Sequence, residues 1–209
     1  MKIERENELR VIGITGGIGS GKSVVSRILR CQGFEVYDCD SEARVIMDHS
    51  EPLKRDIAAL FGKECIRPDG SINRPVVGRH VFSDESKRRW LNSKVHELVR
   101  NHIASRLKVA SRQIQNQDAP GIFFVESAIL NTGGITPMCS EVWHVESPVD
   151  VRSRRVVLRD GMSFADVKVR IEAQLAEYDD FGDIPTVRII NDGSESLLFQ
   201  IETLIKSIC

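Results

Sequence analysis

The chain has 209 residues, of which 41% are hydrophobic, enough for one compact domain with an insertion. Its 29 Lys and Arg residues nearly balance 30 Asp and Glu residues, so the formal net charge is −1. Because no bulk positive charge would attract nucleic acid or an anionic membrane, we expect neither as a partner. The five cysteines are widely spaced and form no C-x-x-C pair, which argues against a disulfide frame and against a zinc site.

The charged segment at residues 1–8 has no apolar stretch behind it, and no later apolar run is long enough to cross a bilayer. Together with the cysteine pattern, this favours a protein of the reducing cytoplasm.

The segment Gly16–Ser23 has the spacing of a phosphate-binding P-loop: glycine, four residues, glycine, lysine and serine. The apolar, β-branched run Arg10–Ile14 before it is typical of a buried strand, and Val24–Leu29 after it is typical of an amphipathic helix. A plain glycine-rich turn would not explain lysine and serine at this register. The motif therefore predicts binding of a nucleoside triphosphate.

The chemistry of this loop depends on its glycines and on its last two residues. Gly16, Gly19 and Gly21 can adopt positive φ, so that backbone N–H groups wrap a β-phosphate at the positive end of the helix. Lys22 is expected to reach the β- and γ-phosphates, and the Ser23 hydroxyl to hold Mg²⁺. The expected nucleotide contacts are Gly17, Gly19, Ser20, Gly21, Lys22, Ser23 and Val24.

Two carboxylates follow the second predicted strand, Glu35–Asp38. Strand alternation continued to Asp40 would send Asp38 and Asp40 to one side and Cys39 to the other, at the sheet edge where open α/β folds bind ligands. Asp38 then either faces the phosphates as a metal ligand or caps a helix that begins near Ser41.

From Ser41 to about Gln117 the pattern is helical and contains no convincing strand. Glu51-Pro52-Leu53 opens one helix, and a much longer one begins near Ser83. This block reads as a helical insertion that covers the acceptor side of the phosphate site.

A third strand, Ile122–Glu126, also ends in an acid. Glu126 is either a metal or substrate contact or an ordinary acid at a buried edge. Two further strands are predicted at Glu141–Glu146 and Thr186–Asn191. Strands separated by helices imply a parallel five-stranded sheet.

Two helices between the last two strands carry a group of arginines. Arg152, Arg155 and Arg159 fall at i, i+3 and i+7 on one face, and a second helix begins near Ser163. Such arginines are by default a solvated face. Because Asp160-Gly161 can act as a hinge beside a triphosphate site, we favour a lid that closes over the phosphates.

Together, Gly13–Ser23, Val36–Asp40 and Ala43–Arg44 resemble the dephospho-coenzyme A kinase family, whose pattern is T-G-G-I-G-S-G-K-S followed by D-A-D-x-x-A-R. The resemblance covers most of the chain. It continues through the following residues: Phe61-Gly62, Asp69-Gly70, Trp90-Leu91-Asn92, His96, Arg159-Asp160, Arg170, Ala173-Gln174 and Ile190–Gly193.

The resemblance implies a P-loop core with a helical acceptor-binding domain and a helical lid. It implies ATP-dependent phosphorylation of the ribose 3′-hydroxyl of dephospho-coenzyme A, with Mg²⁺, as the last step of coenzyme A synthesis. Asp40 takes the position of the catalytic base, Arg159 that of a lid phosphate ligand, and Asn191 lies near the adenine. The remaining assignments are Lys22 in catalysis, Ser23 and Asp38 toward the metal, and Asp40, Arg44, His96, Arg155 and Glu126 toward the acceptor.

Two positions depart from the family pattern. Glu97 follows His96 where the family usually has proline, and Leu130 occupies the usual acidic position of the loop after the third strand. Either Glu126 has taken over that acidic role or the role is absent.

These patterns define the expected organisation. Residues 1–40 and 119–209 should form the nucleotide-binding core, with the lid at about 148–178, and residues 41–118 the inserted acceptor-binding region, in a monomer or small homo-oligomer. The alternatives are a P-loop kinase of another metabolite or nucleotide hydroxyl and a nucleotide-gated regulator. The absence of an N-K-x-D guanine-reading segment argues against a GTP switch.

Overall fold

The computed structural model describes residues 9–115, 121–174 and 181–208. The described residues form two compact units. The first, which we call the sheet unit, consists of the described residues within Met1–Asp38 and Leu107–Cys209. The second, the helical unit, consists of Cys39–Arg106. The sequence places the corresponding boundaries at residues 40 and 119, and that division into functional domains stays a prediction.

The sheet unit is built on five parallel strands. They are β1 (Arg10–Thr15), β2 (Val36–Asp38), β3 (Ile122–Glu126), β4 (Glu141–Glu146) and β5 (Thr186–Ile190). Their order in the sheet is β2-β3-β1-β4-β5, and every pair is parallel. The predicted five-stranded parallel sheet is thus confirmed.

Eight helices are described. They are α1 (Lys22–Cys31), α2 (Cys39–His49), α3 (Glu51–Phe61), α4 (Arg74–Ser83), α5 (Glu85–Gln115), α6 (Val149–Asp160), α7 (Phe164–Ala173) and α8 (Leu197–Ile208). Short 3-10 helices lie at Lys63–Cys65 and Thr136–Met138. Within the described ranges, none of the helices has both the length and the apolar character needed to span a membrane.

The core of the sheet unit comes from strands that are apolar on both faces, as expected where helices cover a parallel sheet. Ile12, Phe124 and Trp143 are completely or almost completely buried. The one polar atom of the indole is satisfied, because Trp143 Nε1 donates to Glu141 Oε1 at 2.7 Å. Leu29 of α1 packs into the same core, which anchors the helix that follows the phosphate loop.

The helical unit has its own apolar cluster. The sequence predicts a buried face of α3 formed by Leu53, Ile57, Leu60 and Phe61. Leu53, Ile57 and Phe61 are buried, whereas Leu60 is 45% exposed, so the prediction is wrong for that residue. Ser50 caps that helix by accepting from the Leu53 N–H at 3.3 Å. Helix α4 was not predicted from the sequence, because it buries only Val77 and so carries little periodic apolar signal.

Another local prediction is wrong. The second strand ends at Asp38, and α2 begins at Cys39. The extended backbone that was expected to continue from Asp38 to Asp40 is therefore not found. Asp40 therefore lies in the first turn of a helix, and strand alternation does not place it on the same side as Asp38.

Burial of α1 yields a stability prediction. Leu29→Ala removes a fully buried side chain, so the free energy of unfolding should fall by about 2–5 kcal/mol in urea denaturation. Leu158→Ala is the matched control, because that leucine is 86% exposed and its loss should change stability by less than about 0.5 kcal/mol. Equal effects of the two substitutions would contradict the described core.

Candidate active site

The phosphate loop joins β1 to α1 in the conformation that its glycines permit. Gly16, Gly19 and Gly21 have φ of 147°, 78° and 103°, which confirms the expected positive values. Gly21 is the N-cap of α1, so the loop ends directly at the positive end of the helix dipole. This is the geometry in which a P-loop binds an anion.

The neighbours of the loop also require glycine. A Cβ on Gly19 would lie 2.6 Å from the carbonyl oxygen of Arg152. A Cβ on Gly17 would overlap the Arg152 guanidinium, and one on Gly21 would overlap the Asn191 side-chain amide. The loop is therefore closely covered by α6 and by the end of β5.

Internal hydrogen bonds hold the loop in place. Lys22 Nζ donates to the carbonyl oxygen of Gly16 at 2.6 Å, which folds the ammonium group back over the loop. The N–H of Ser20 donates to Gly17 O at 3.0 Å. The N–H of Ile18 donates to Gln174 Oε1 at 2.8 Å, so the end of α7 also contacts the loop.

The three arginines of α6 have different surroundings. Arg152 is buried, and its Nε donates to Ile18 O at 2.9 Å. Arg155 Nη1 lies 3.3 Å from Gly19 O. Arg159 is largely exposed and makes a two-point ion pair with Asp160 at 2.7 and 2.8 Å, which raises its pKa. A uniformly solvated arginine face is therefore wrong, whereas the closing motion of a lid stays a prediction.

Asn191 connects β5 to the loop. Its Nδ2 donates to Ser20 O at 2.7 Å, and its backbone N–H donates to Glu146 O at 2.8 Å. Its Oδ1 accepts from Arg155 Nη2 at 3.3 Å. The predicted contact of Asn191 with adenine stays a prediction, while its bond to the loop is a feature that the sequence did not indicate.

Two carboxylates end neighbouring strands beside the loop. Asp38 of β2 pairs in register with Glu126 of β3, and Glu126 also pairs with Ile14 of β1. Burial raises the pKa of Glu126, and the nearby Asp38 carboxylate adds to the effect, while Lys22 and Arg30 oppose it. The carboxylate oxygens of Asp38 and Glu126 are suitable ligands for a divalent cation.

Leu130, at the acidic position of the family pattern, has an apolar environment. It is 1% exposed, and a Cβ added to Gly13 would lie 2.8 Å from its Cδ1. An acid would be poorly accommodated at this position, and whether Glu126 has taken over the acidic role or the role is absent stays a prediction.

The acceptor residues predicted from the resemblance belong to the helical unit. Asp40 and Arg44 are both exposed and lie four residues apart on α2, hence on one face of that helix. His96 is partly exposed on α5. Glu97 allows α5 to continue without the break that the family's proline would introduce at this position.

A polar cluster at the end of β4 was not singled out from the sequence. Glu146 Oε1 lies 3.3 Å from His144 Nδ1 and 3.3 Å from Arg188 Nε. Burial lowers the pKa of His144, and Glu146 opposes that shift. Alternation along β4 places His144 and Glu146 on one side of the strand, which is the signal that could have found them. For Arg152, the available signal was its position on one helix face with Arg155 and Arg159.

The raised pKa of Glu126 predicts how stability varies with pH. Its protonated form contributes stability that is complete below the ordinary glutamate pKa of about 4.3 and is lost as pH rises through the higher folded-state pKa. Glu126→Gln should therefore raise the Tm at pH 7 in chelator, with a difference that shrinks toward pH 4. Glu195→Gln, at an exposed position, should leave the Tm unchanged. A lower Tm for Glu126→Gln at pH 7 would show that the carboxylate is stabilising.

Comparison with known proteins agrees with this geometry. Residues 10–195 match the family described as dephospho-CoA kinase, CoaE. The dephospho-CoA kinase of Carboxydothermus hydrogenoformans is 34% identical over 201 residues, covering 95% of this chain and 94% of the relative. That of Moorella thermoacetica is 36% identical over 164 residues, 78% of this chain and 76% of the relative. The crystal structure of TT1252 from Thermus thermophilus has a TM-score of 0.74 at 31% identity, covering 96% of each chain. The chain belongs to the dephospho-CoA kinase family.

Proposed function

We propose that the chain transfers the γ-phosphoryl group of ATP to the ribose 3′-hydroxyl of dephospho-coenzyme A, giving coenzyme A and ADP. The observation that carries this proposal is the phosphate loop with Lys22 folded over it, in a chain of the dephospho-CoA kinase family. The reaction is the last step of coenzyme A synthesis, and we propose that it takes place in the cytoplasm. Among the described residues, Cys31, Cys39, Cys65 and Cys139 are in no disulfide, as suits that compartment.

The sheet unit supplies the donor half of the chemistry. Backbone N–H groups from Gly17 to Val24 bind the ATP phosphates at the start of α1, and Lys22 moves from Gly16 O onto the β- and γ-phosphates. Arg159 stabilises charge on the transferred phosphoryl group, and Asn191 contacts the adenine.

Mg²⁺ fits the oxygen ligands of the same unit. The Ser23 hydroxyl is exposed in the first turn of α1, and Asp38 and Glu126 are register partners at the strand ends. These residues would hold Mg²⁺, either directly or through water. When bound, the ion neutralises charge on the β- and γ-phosphates. Lys22 lies close enough for its charge to act on Glu126, so these acids would hold the ion near the lysine that contacts the phosphates.

The acceptor half follows from the family pattern. Asp40 orients the ribose hydroxyl and accepts its proton as the new bond to phosphorus forms. Arg44 and His96 bind the acceptor, with Arg155 and Glu126 as further contacts. Asp40 and Arg44 are suited to this work because both are exposed on one face of α2.

An acceptor panel tests the proposed substrate. With MgATP, release of ADP should require dephospho-coenzyme A, and the product should carry a new phosphate at the ribose 3′ position in ³¹P NMR and mass spectra. Faster turnover of a different metabolite or nucleotide would replace the substrate while leaving a P-loop kinase. Nucleotide binding without turnover of any acceptor would point to a regulator.

The role of Asp40 has its own test. Asp40→Asn keeps the shape of the side chain but removes the base, so the single-turnover rate with both substrates saturating should fall by roughly 10²–10⁴-fold. Asp56→Asn, an exposed position on α3, is the control and should retain the parent rate. If Asp40→Asn keeps its single-turnover rate and only raises the dissociation constant of the acceptor, Asp40 is a binding residue and the base is elsewhere.

A further inference from the structure

Three side chains of chemically different ligand type meet in the helical unit, and none of them is among the residues assigned to phosphoryl transfer. Glu64 and Cys65 belong to the 3-10 helix Lys63–Cys65, and His80 belongs to α4. One ligand atom from each, a carboxylate oxygen, the thiol sulfur and an imidazole nitrogen, all lie within 4.8 Å of one another. Glu64 Oε1 and His80 Nε2 are 3.6 Å apart.

The backbone holds the two segments together through Asn73, the N-cap of α4. Its N–H donates to Cys65 O at 2.7 Å, and its Nδ2 donates to Glu64 O at 3.2 Å. An isolated bridge between Ile66 and Ile72 closes the connecting turn. The 63–65 turn and the start of α4 are therefore held together by hydrogen bonds from both the backbone and the side chain of Asn73.

The three side chains of the cluster differ in their exposure to solvent. Cys65 is completely buried, whereas the side chains of His80 and Glu64 are 29% and 62% exposed. The His80 ring stacks on Phe61 at a centroid distance of 5.8 Å, which limits its rotation. A cation arriving from solvent would meet the carboxylate and imidazole first and the sulfur beneath them.

The donor set selects the kind of ion. Thiolate, imidazole and carboxylate together suit zinc, whereas Mg²⁺ prefers oxygen ligands. Zinc bonds of about 2.0–2.3 Å in a tetrahedron separate neighbouring ligand atoms by about 3.5 Å. The Glu64–His80 pair, at 3.6 Å, already has about this separation, and all three ligand atoms lie within 4.8 Å of one another. The fourth position is left for water.

We propose that Glu64, Cys65 and His80 bind one zinc ion. The ion links the 63–65 turn to α4 and stabilises the helical unit, without taking part in phosphoryl transfer. Cys65 binds as the thiolate, so zinc displaces its proton to solvent. Burial raises the pKa of the Cys65 thiol, and the charge of Glu64 adds to this, while Lys87 and Arg79 lower it. Binding should therefore weaken as pH falls.

Cobalt is a spectroscopic probe of this site in the full chain. After treatment with chelator, titration with Co²⁺ should give one equivalent with a sulfur-to-cobalt charge-transfer band in the near ultraviolet, and Zn²⁺ should displace it. The band is specific for a thiolate ligand, so Co²⁺ bound at a nucleotide–magnesium site does not produce it. One equivalent of Zn²⁺ should also raise the Tm.

Four variants separate a metal site from a simple Glu64–His80 ion pair. Cys65→Ser should abolish the band, and His80→Gln and Glu64→Gln should each weaken Co²⁺ binding by more than about tenfold, a loss that even an outer-shell partner can cause. Cys31→Ser, at an exposed thiol, should leave the band unchanged.

Two results would overturn the zinc site: a parent chain with no thiolate band, or a band that survives in Cys65→Ser. Cys65 lies in a core, so circular dichroism should check that its variant folds. If that variant does not fold, His80→Gln decides the question, since its side chain is not fully buried. Unchanged Co²⁺ affinity in folded His80→Gln would contradict the proposal. Kinase activity is not among these measurements, so their outcome is independent of the proposed reaction.

Discussion

The donor site depends on how the carbonyl oxygens of the phosphate loop are held. Lys22 donates to Gly16 O, Arg152 to Ile18 O and Asn191 to Ser20 O, at 2.6, 2.9 and 2.7 Å. Donors from α1, α6 and the end of β5 thus fix peptide planes within one short turn. The loop keeps a shape that only glycine permits at three positions, and we expect Lys22 to exchange Gly16 O for the phosphates when a nucleotide binds. In the sheet, β1, β4 and β5 are neighbours, so the segments that follow them begin side by side.

Beside the loop, function and stability oppose each other. Register pairing brings Asp38 and Glu126 together at a buried edge, where ionisation of Glu126 is disfavoured. A protein selected only for stability would place an apolar residue there, as this chain does at Leu130. The acid is understandable if a divalent cation and a triphosphate are bound at this edge, because the cation then compensates the paired charges.

Much of the sheet unit could be predicted because its signals are local: apolar β-branched runs, a glycine-rich turn with fixed spacing, and polar strand ends. The predictions that failed concern features that depend on tertiary contacts. Cys39 begins α2 instead of extending β2, and α4 escaped notice because it buries a single residue. Arg152 contacts a loop that is distant in the sequence. The spacing of the arginines could therefore indicate which helix face Arg152 occupies, but not its contact with the loop. Cysteine spacing compares cysteines only with one another, so it could not indicate that Glu64 and His80 lie close to Cys65.

We expect the loop at residues 16–24 to bind the triphosphate through its backbone N–H groups. The most direct test is amide NMR of ¹⁵N-labelled chain titrated with Mg²⁺ and a non-hydrolysable ATP analogue. The largest shifts should fall on the amides from Gly17 to Val24. Saturation by the analogue with these amides unchanged, and shifts confined to other parts of the chain, would contradict the account.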